Sequence, residues 1–252
     1  MDPKIEMLKA LGNADQAAAY RAYQSLEVTA LAYTAPGKEA ACREMAAFLA
    51  GELNAQDPGG KDDKGKDKPP VARYTMPVRR QIVRLLTYIS GPAEVPALAQ
   101  AMKDLDLRED ARCALDRNGS QEATDALLAA IDEIGPRFRI GVVGSLGGRG
   151  GEKTIQALQP LANDEDREIR VALADALAKC AEPAVDATLV LLSKQECRIT
   201  RQAAHRARLR LAETLAGKGN KAAARKIYQS VLHSEAIEPQ KHAAETALKN
   251  LG

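Results

Sequence analysis

From about Arg167 to Lys179, apolar residues return at the spacing of one helical face. Ile169, Ala172, Leu173, Ala176, Leu177 and Cys180 fall at i, i+3, i+4, i+7, i+8 and i+11. Asp164 and Asp166 stand just before this run, where unpaired N–H groups and the positive end of a helix dipole favour acids. The pattern breaks at Ala181-Glu182-Pro183, and Pro183 suits the first turn of a second helix because its missing N–H has no partner there. Val185, Leu189 and Leu192 then recur on one side. Two helices this short cannot cover each other's apolar surface completely, so the pair predicts neighbours.

The neighbours are legible along the chain. An apolar residue followed by Arg, just inside a predicted first helix, occurs at Val78-Arg79, Leu107-Arg108, Phe138-Arg139 and Ile169-Arg170, with the arginines stepping by 29, 31 and 31 residues. Ile199-Thr200 holds the next such place, with Arg201 one position late. Each first helix is followed by a breaker: SGP at 90–92, NGS at 118–120, GGRGG at 147–151, AEP at 181–183 and GKGN at 217–220. A second helix follows each breaker: EVPALAQAM, EATDALLAAI, KTIQALQPL, AVDATLVLL and AAARKIYQSVL. Self-similarity at this period predicts helical hairpins that bury their apolar faces against the hairpins beside them.

The stretch DEDREIRVALADALAKCAEPAVDATLVLL resembles the HEAT-repeat family in its leading acid, its Val/Ile-Arg pair, its Ala-x-x-Ala-Leu run and its second helix after a breaker. The likeness is good from Met76 to Leu192. It implies an all-α, right-handed α-solenoid, a HEAT-like α-α superhelix. The last unit, LAETLAGKGNKAAARKIYQSVL, is more similar to a tetratricopeptide pair through Ala212, Leu215, Gly219, Asn220, Ala224, Ile227, Tyr228 and Val231. Four segments are therefore expected: an N-terminal helical hairpin or cap over 1–56, a charged Gly/Pro loop or linker over 57–70, four HEAT-like repeats over 71–193, and a basic hairpin with a capping helix over 194–252. Residues 57–70 (DPGGKDDKGKDKPP) hold no apolar residue and predict a mobile loop.

Composition agrees with an all-helical chain. There is no Trp and only two Phe, so Ala, Leu, Val and Ile must supply the core, which favours close helix contacts over an aromatic-rich β-sandwich. No run reaches the ~18 apolar residues of a membrane span, and the N-terminus lacks the basic and long apolar regions of a secretory signal. Cys42, Cys113, Cys180 and Cys197 are scattered, with no CxxC pair. Cys113 and Cys180 fall at apolar helix positions, so buried, reduced thiols are expected. The expected setting is cytoplasmic; an exported chain with its signal trimmed would read the same way.

Charge singles out one region. Between 194 and 226 there are ten cations (Lys194, Arg198, Arg201, Arg206, Arg208, Arg210, Lys218, Lys221, Arg225, Lys226) and two acids (Glu196, Glu213), a net +8 in a chain of net +2. Arg198, Arg201, His205 and Arg208 share one helical stripe, and with Lys221 and Arg225 they form the candidate binding set. Such a face suits acidic partners, phosphates included, but no aromatic residue lies between Lys194 and Tyr228 to stack on bases. The repeated arginines at 79, 108, 139 and 170 are expected to form a ladder between repeats.

Catalytic motifs are absent. Some HEAT relatives are di-iron hydroxylases with His-Glu ligand pairs, but here His205, His233 and His242 are followed by Arg206, Ser234 and Ala243. Bilin lyases also share such repeats and show no motif by which to test for them. HExxH and zinc spacings are missing. GSLGGRGGEK at 144–153 has no GKS or GKT and follows no strand, so an inter-helix turn with left-handed residues is predicted, and Gly141 and Gly144 are expected to permit close helix contact. No metal and no cofactor is expected. The leading reading is a non-enzymatic scaffold binding a protein or peptide partner, acidic in character, along a concave face made by the second helices, with no membrane role. A nucleic-acid-binding or base-processing protein using 198–226 is the alternative.

Overall fold

The computed structural model describes residues 3–61, 63–133 and 135–251, with the backbone alone of residues 3 and 136. The chain is an all-α solenoid whose described residues form fourteen α-helices and one two-stranded ribbon. It divides into two compact units, Met1–Leu127 and Leu128–Gly252.

In the first unit, α1 (Pro3–Leu11) packs on α2 (Gln16–Ala32), and both meet α4 (Met76–Ile89). α3 (Glu39–Leu53) packs on α4 and on α5 (Val95–Ala101), and α6 (Arg108–Arg117) lies against α4 and α5. The stripe Val78, Ile82, Val83, Leu85, Leu86 and Ile89 makes α4 the hub, since it meets α1, α2, α3 and α6. Between α3 and α4, strand β1 (Gln56–Asp57) pairs antiparallel with β2 (Val71–Ala72). Where composition predicts a mobile loop, a Lys61–Asp67 bridge and a 2.7 Å bond from the Lys68 N–H to the Gly60 carbonyl draw the segment into a narrow hairpin. Gly59 is required there, because a Cβ on it would stand 1.7 Å from the Lys68 carbonyl oxygen. The arm is rooted by Arg73, which reaches Asp57 at 3.0 Å and Glu52 at 3.1 Å.

The second unit repeats one hairpin. First helices α8 (Pro136–Gly147), α10 (Arg167–Cys180) and α12 (Arg198–Gly217) stack in chain order. Second helices are α9 (Glu152–Leu158, continued by a 3-10 turn), α11 (Asp186–Leu192) and α13 (Lys221–Leu232), and α14 (Glu238–Asn250) closes against α12 and α13. α7 (Gln121–Glu133) spans the division between the units. The stripe of α10 buries Ile169, Leu173, Ala176, Leu177 and Cys180 as its spacing predicts. Asp166 caps that helix by accepting the Glu168 N–H at 2.8 Å, and Asp164 accepts the Asp166 N–H at 2.8 Å.

The repeated arginines tie turns and helix ends together. Arg79 donates to the Leu53 carbonyl at 3.2 Å, at the end of α3, and to Asp104 at 2.8 Å, ahead of α6. Arg139 repeats both bonds sixty residues on, to the Ile131 carbonyl at 2.8 Å in the last turn of α7 and to Asp164 at 3.1 Å ahead of α10. Each satisfies a carbonyl that a helix end leaves without an internal partner. Burial pushes the Asp104 carboxyl up, but the Asp106 N–H and the Arg79 guanidinium outweigh it and hold it below the ordinary range. Arg170 instead bonds the Asp164 and Glu165 carbonyls of the turn before its own helix.

Two expectations are corrected. The glycine that permits close helix contact is Gly147, not Gly144. A Cβ on Gly147 would stand 2.5 Å from the Cα of Ala176 in α10, whereas one on Gly144 meets nothing within 4 Å. The left-handed turn falls at Gly150 (φ 64°) and Gly151 (φ 79°). Cys113 is exposed rather than buried, because α6 turns Ala111, Ala114 and Leu115 inward and leaves Cys113 beside Arg112 and Glu109. All four thiols are free. Among the described residues no helix is long and apolar enough to cross a membrane.

Candidate functional site

Three second helices of the C-terminal unit bury one side and present the other. α9 with its 3-10 turn turns in Ile155, Leu158 and Leu161; α11 turns in Leu189 and Leu192; α13 turns in Ala224, Ile227, Tyr228 and Val231. Their outward positions include Gln156 and Gln159, then Ala187 and Leu191, then Lys226 and Gln229. Leu191 is 62% exposed, a large apolar side chain with no role in the packing beneath it. Lys194, just past the end of α11, is also exposed.

The stripe singled out by spacing is for the most part not a surface. Arg198, in the first turn of α12, is exposed. Arg201 is half-buried and donates to the carbonyls of Gln195, at 2.9 Å, and Glu196. His205 is buried at 2% exposure, and neither ring nitrogen has a hydrogen-bond partner among the described residues. Burial pushes its pKa down, and the cations Arg208 and Arg201 push it further the same way. Arg208 is 1% exposed. Its guanidinium runs from the first-helix layer to the second, meeting Asp186 on α11 through Nε at 2.7 Å and Nη2 at 3.1 Å, and Ser230 on α13 at 2.9 Å. A planar fork matched to a carboxylate is the geometry in which a buried charge is tolerated. Lys221 donates to the Leu251 carbonyl at 3.2 Å, and Arg225 is half-buried.

The correction has a simple cause. Positions 201, 205 and 208 recur at three and four residues among Ala203, Ala204, Ala207 and Leu211, which is the spacing of the packed side of α12. The structure therefore separates the candidate set into a buried clamp (His205, Arg208), a turn-binding arginine (Arg201), and the outlying Arg198, Lys221 and Arg225. What the sequence did not single out was Leu191, which lies off the inward side formed by Val185, Leu189 and Leu192. Asp186 was also missed, because the partner of Arg208 lies 22 residues away on another helix. His233 and His242 are exposed and far from any cluster; among the described residues no group of three or more His, Cys, Asp or Glu is placed to hold a metal ion.

A family profile for HEAT repeats matches residues 135–207, the stretch in which α8, α10 and α12 stack. Over that stretch the chain is similar to HEAT repeats. No curated protein matches it. Among solved structures it is similar to the complex of CpcE and CpcF of phycocyanin lyase from Nostoc sp. PCC7120, at 20% identity over 100% of this chain and 95% of that one, with a TM-score of 0.44. It is also similar to human deoxyhypusine hydroxylase in complex with glycerol, at 16% identity over 97% and 94%, with a TM-score of 0.38. A designed armadillo repeat protein in complex with the peptide (KR)4 matches at 16% identity over 98% of each chain, with a TM-score of 0.32.

Proposed function

We propose that the chain is a non-enzymatic HEAT-repeat scaffold that holds a protein or peptide partner against the second helices α9, α11 and α13. The observation that carries this reading is Leu191, an apolar side chain left 62% exposed on α11 while Leu189 and Leu192 beside it are fully buried. Solvation of a leucine at that position is unfavourable, and covering it is the ordinary source of affinity at the centre of an interface. Lys194 and Lys226, both exposed, favour an acidic segment at its rim. The burial of His205 and Arg208 speaks against a phosphate-binding stripe on α12, so an acidic protein segment is preferred over nucleic acid.

The experiment is crosslinking and affinity capture from extract of the native host with the wild type, Leu191→Asp and Lys226→Glu, alongside duplex DNA and RNA titrated across a salt series. A protein recovered by the wild type and lost from Leu191→Asp, with recovery weakened by Lys226→Glu, supports the scaffold. Recovery indifferent to both substitutions overturns this placement. Duplex binding whose logarithm falls linearly with log salt would move the assignment to the nucleic-acid alternative.

A further inference from the structure

At the C-terminal end of the second unit, α12 and α14 leave a groove of about 430 Å³. Ala216, Ala243 and Ala247 line its walls, and Tyr228 of α13 forms its floor. Small walls alone make only a gap. Two further features give this gap a chemistry. Tyr228 is 5% exposed as a residue, and its hydroxyl has no protein hydrogen-bond partner among the described residues while remaining open to solvent, so it is available to a ligand in the groove. At the rim, Arg210 is already neutralised by Asp175 of α10, whereas Glu213 forms no ion pair among the described residues. Among the residues that line the groove the unbalanced charge is negative; Lys221, which is not one of them, holds its ammonium on the Leu251 carbonyl. Burial first, and then the Glu213 carboxylate, push the Tyr228 phenol up, which fits a carboxylate close to that hydroxyl.

We propose that this groove binds an alkylammonium group on a short apolar stem, with the stem against the alanine walls and the ammonium between the Glu213 carboxylate and the Tyr228 hydroxyl. An ammonium supplies donors to both oxygens, and a stem of a few methylenes covers the apolar lining that the alanines share with Leu209 and Leu251. A carboxylate ligand is disfavoured by Glu213. The same chemistry belongs to a free aliphatic amine and to the side chain of a lysine in a partner, and it is independent of the face around Leu191.

The test is an NMR titration of the full chain with n-butylammonium, with N-acetyl-lysine methylamide, and with propionate as the anionic control. Saturable shifts confined to α12, α13 and α14 are expected for the two amines and not for propionate; the tighter of the two assigns the source. Exposed Glu213→Gln should weaken binding about fivefold, the scale of a solvent-exposed ion pair. Ala247→Leu should abolish binding at unchanged circular dichroism by filling the groove. Amine shifts that do not saturate, propionate binding as strong as that of the amines, or Glu213→Gln binding like the wild type would overturn the proposal.

Discussion

His205 sits on α12 with no hydrogen-bond partner among the described residues on either ring nitrogen, and the charges that bear on it are Arg201 and Arg208 on its own helix and Glu235 between α13 and α14. Burial and the two arginines hold its pKa below the ordinary value of 6.5. Above that value the ring is neutral in both folded and unfolded chains, and the site contributes nothing to pH dependence. As pH falls through 6.5 the unfolded chain takes up a proton that the folded chain refuses, so stability is lost until the folded pKa is passed. His205→Leu removes that uptake while keeping similar bulk. Urea midpoints measured at about pH 7.5 and about pH 5 should therefore move in the variant's favour on acidification; parallel curves would show that the ring finds a proton acceptor. At this scale the sequence misleads for a specific reason. Helical spacing places 201, 205 and 208 on one side of α12, but the same spacing describes a solvated stripe and a packed one. Only the distant Asp186 and Ser230 reveal that Arg208 is a clamp.

Elements were the most legible level. The α10 stripe, the turn at Gly150 and Gly151, and the proline-started second helices follow from local rules, because each is decided within a dozen residues. The crossing of two elements is decided by shape across the gap, and there the expectation for Gly144 fails. Gly147 lies where α8 passes the backbone of α10, and Gly144 faces open space. Gly144→Ala should stabilise the chain by roughly 0.5–1 kcal/mol, the helix-propensity gain, since nothing obstructs the methyl. Gly147→Ala makes the same propensity gain but forces α8 off Ala176, an overpacking cost of about 1–3 kcal/mol. Thermal denaturation of the two variants should thus shift in opposite directions. Destabilisation by both, or by neither, would contradict the contact. The N-terminal cap expected over 1–56 carries three helices where a hairpin has two, and α1 (Pro3–Leu11) is packed through its buried Leu8 and Leu11.

Over the whole molecule, charge and burial are unevenly spread, and both bear on which parts open first. The +8 of residues 194–226 overstates the free positive surface, because Arg208 and Arg210 pair with Asp186 and Asp175 outside that window. A count along the chain cannot see partners supplied by other helices. Burial is the surer guide to stability in a stacked array, where each element is held by its neighbours rather than by a common centre. α12 buries Ala203, Ala204, Ala207, Leu211, Ala212 and Leu215 among others, and α10 buries all of its stripe but the half-buried Ala172, whereas α2 buries only Leu26 and Ala30 over its 17 residues. The arm from β1 to β2 is exposed throughout its described residues. Amide hydrogen exchange should accordingly be slowest in α10 and α12, faster in α2, and fastest in the arm. Within the arm the Lys68 amide, bonded to the Gly60 carbonyl, should lag behind its neighbours. Equal protection of α2 and α12 would mean that α2 is covered in solution by something other than α1 and α4, and its exposed Tyr20, Val28 and Leu31 are where that cover would lie.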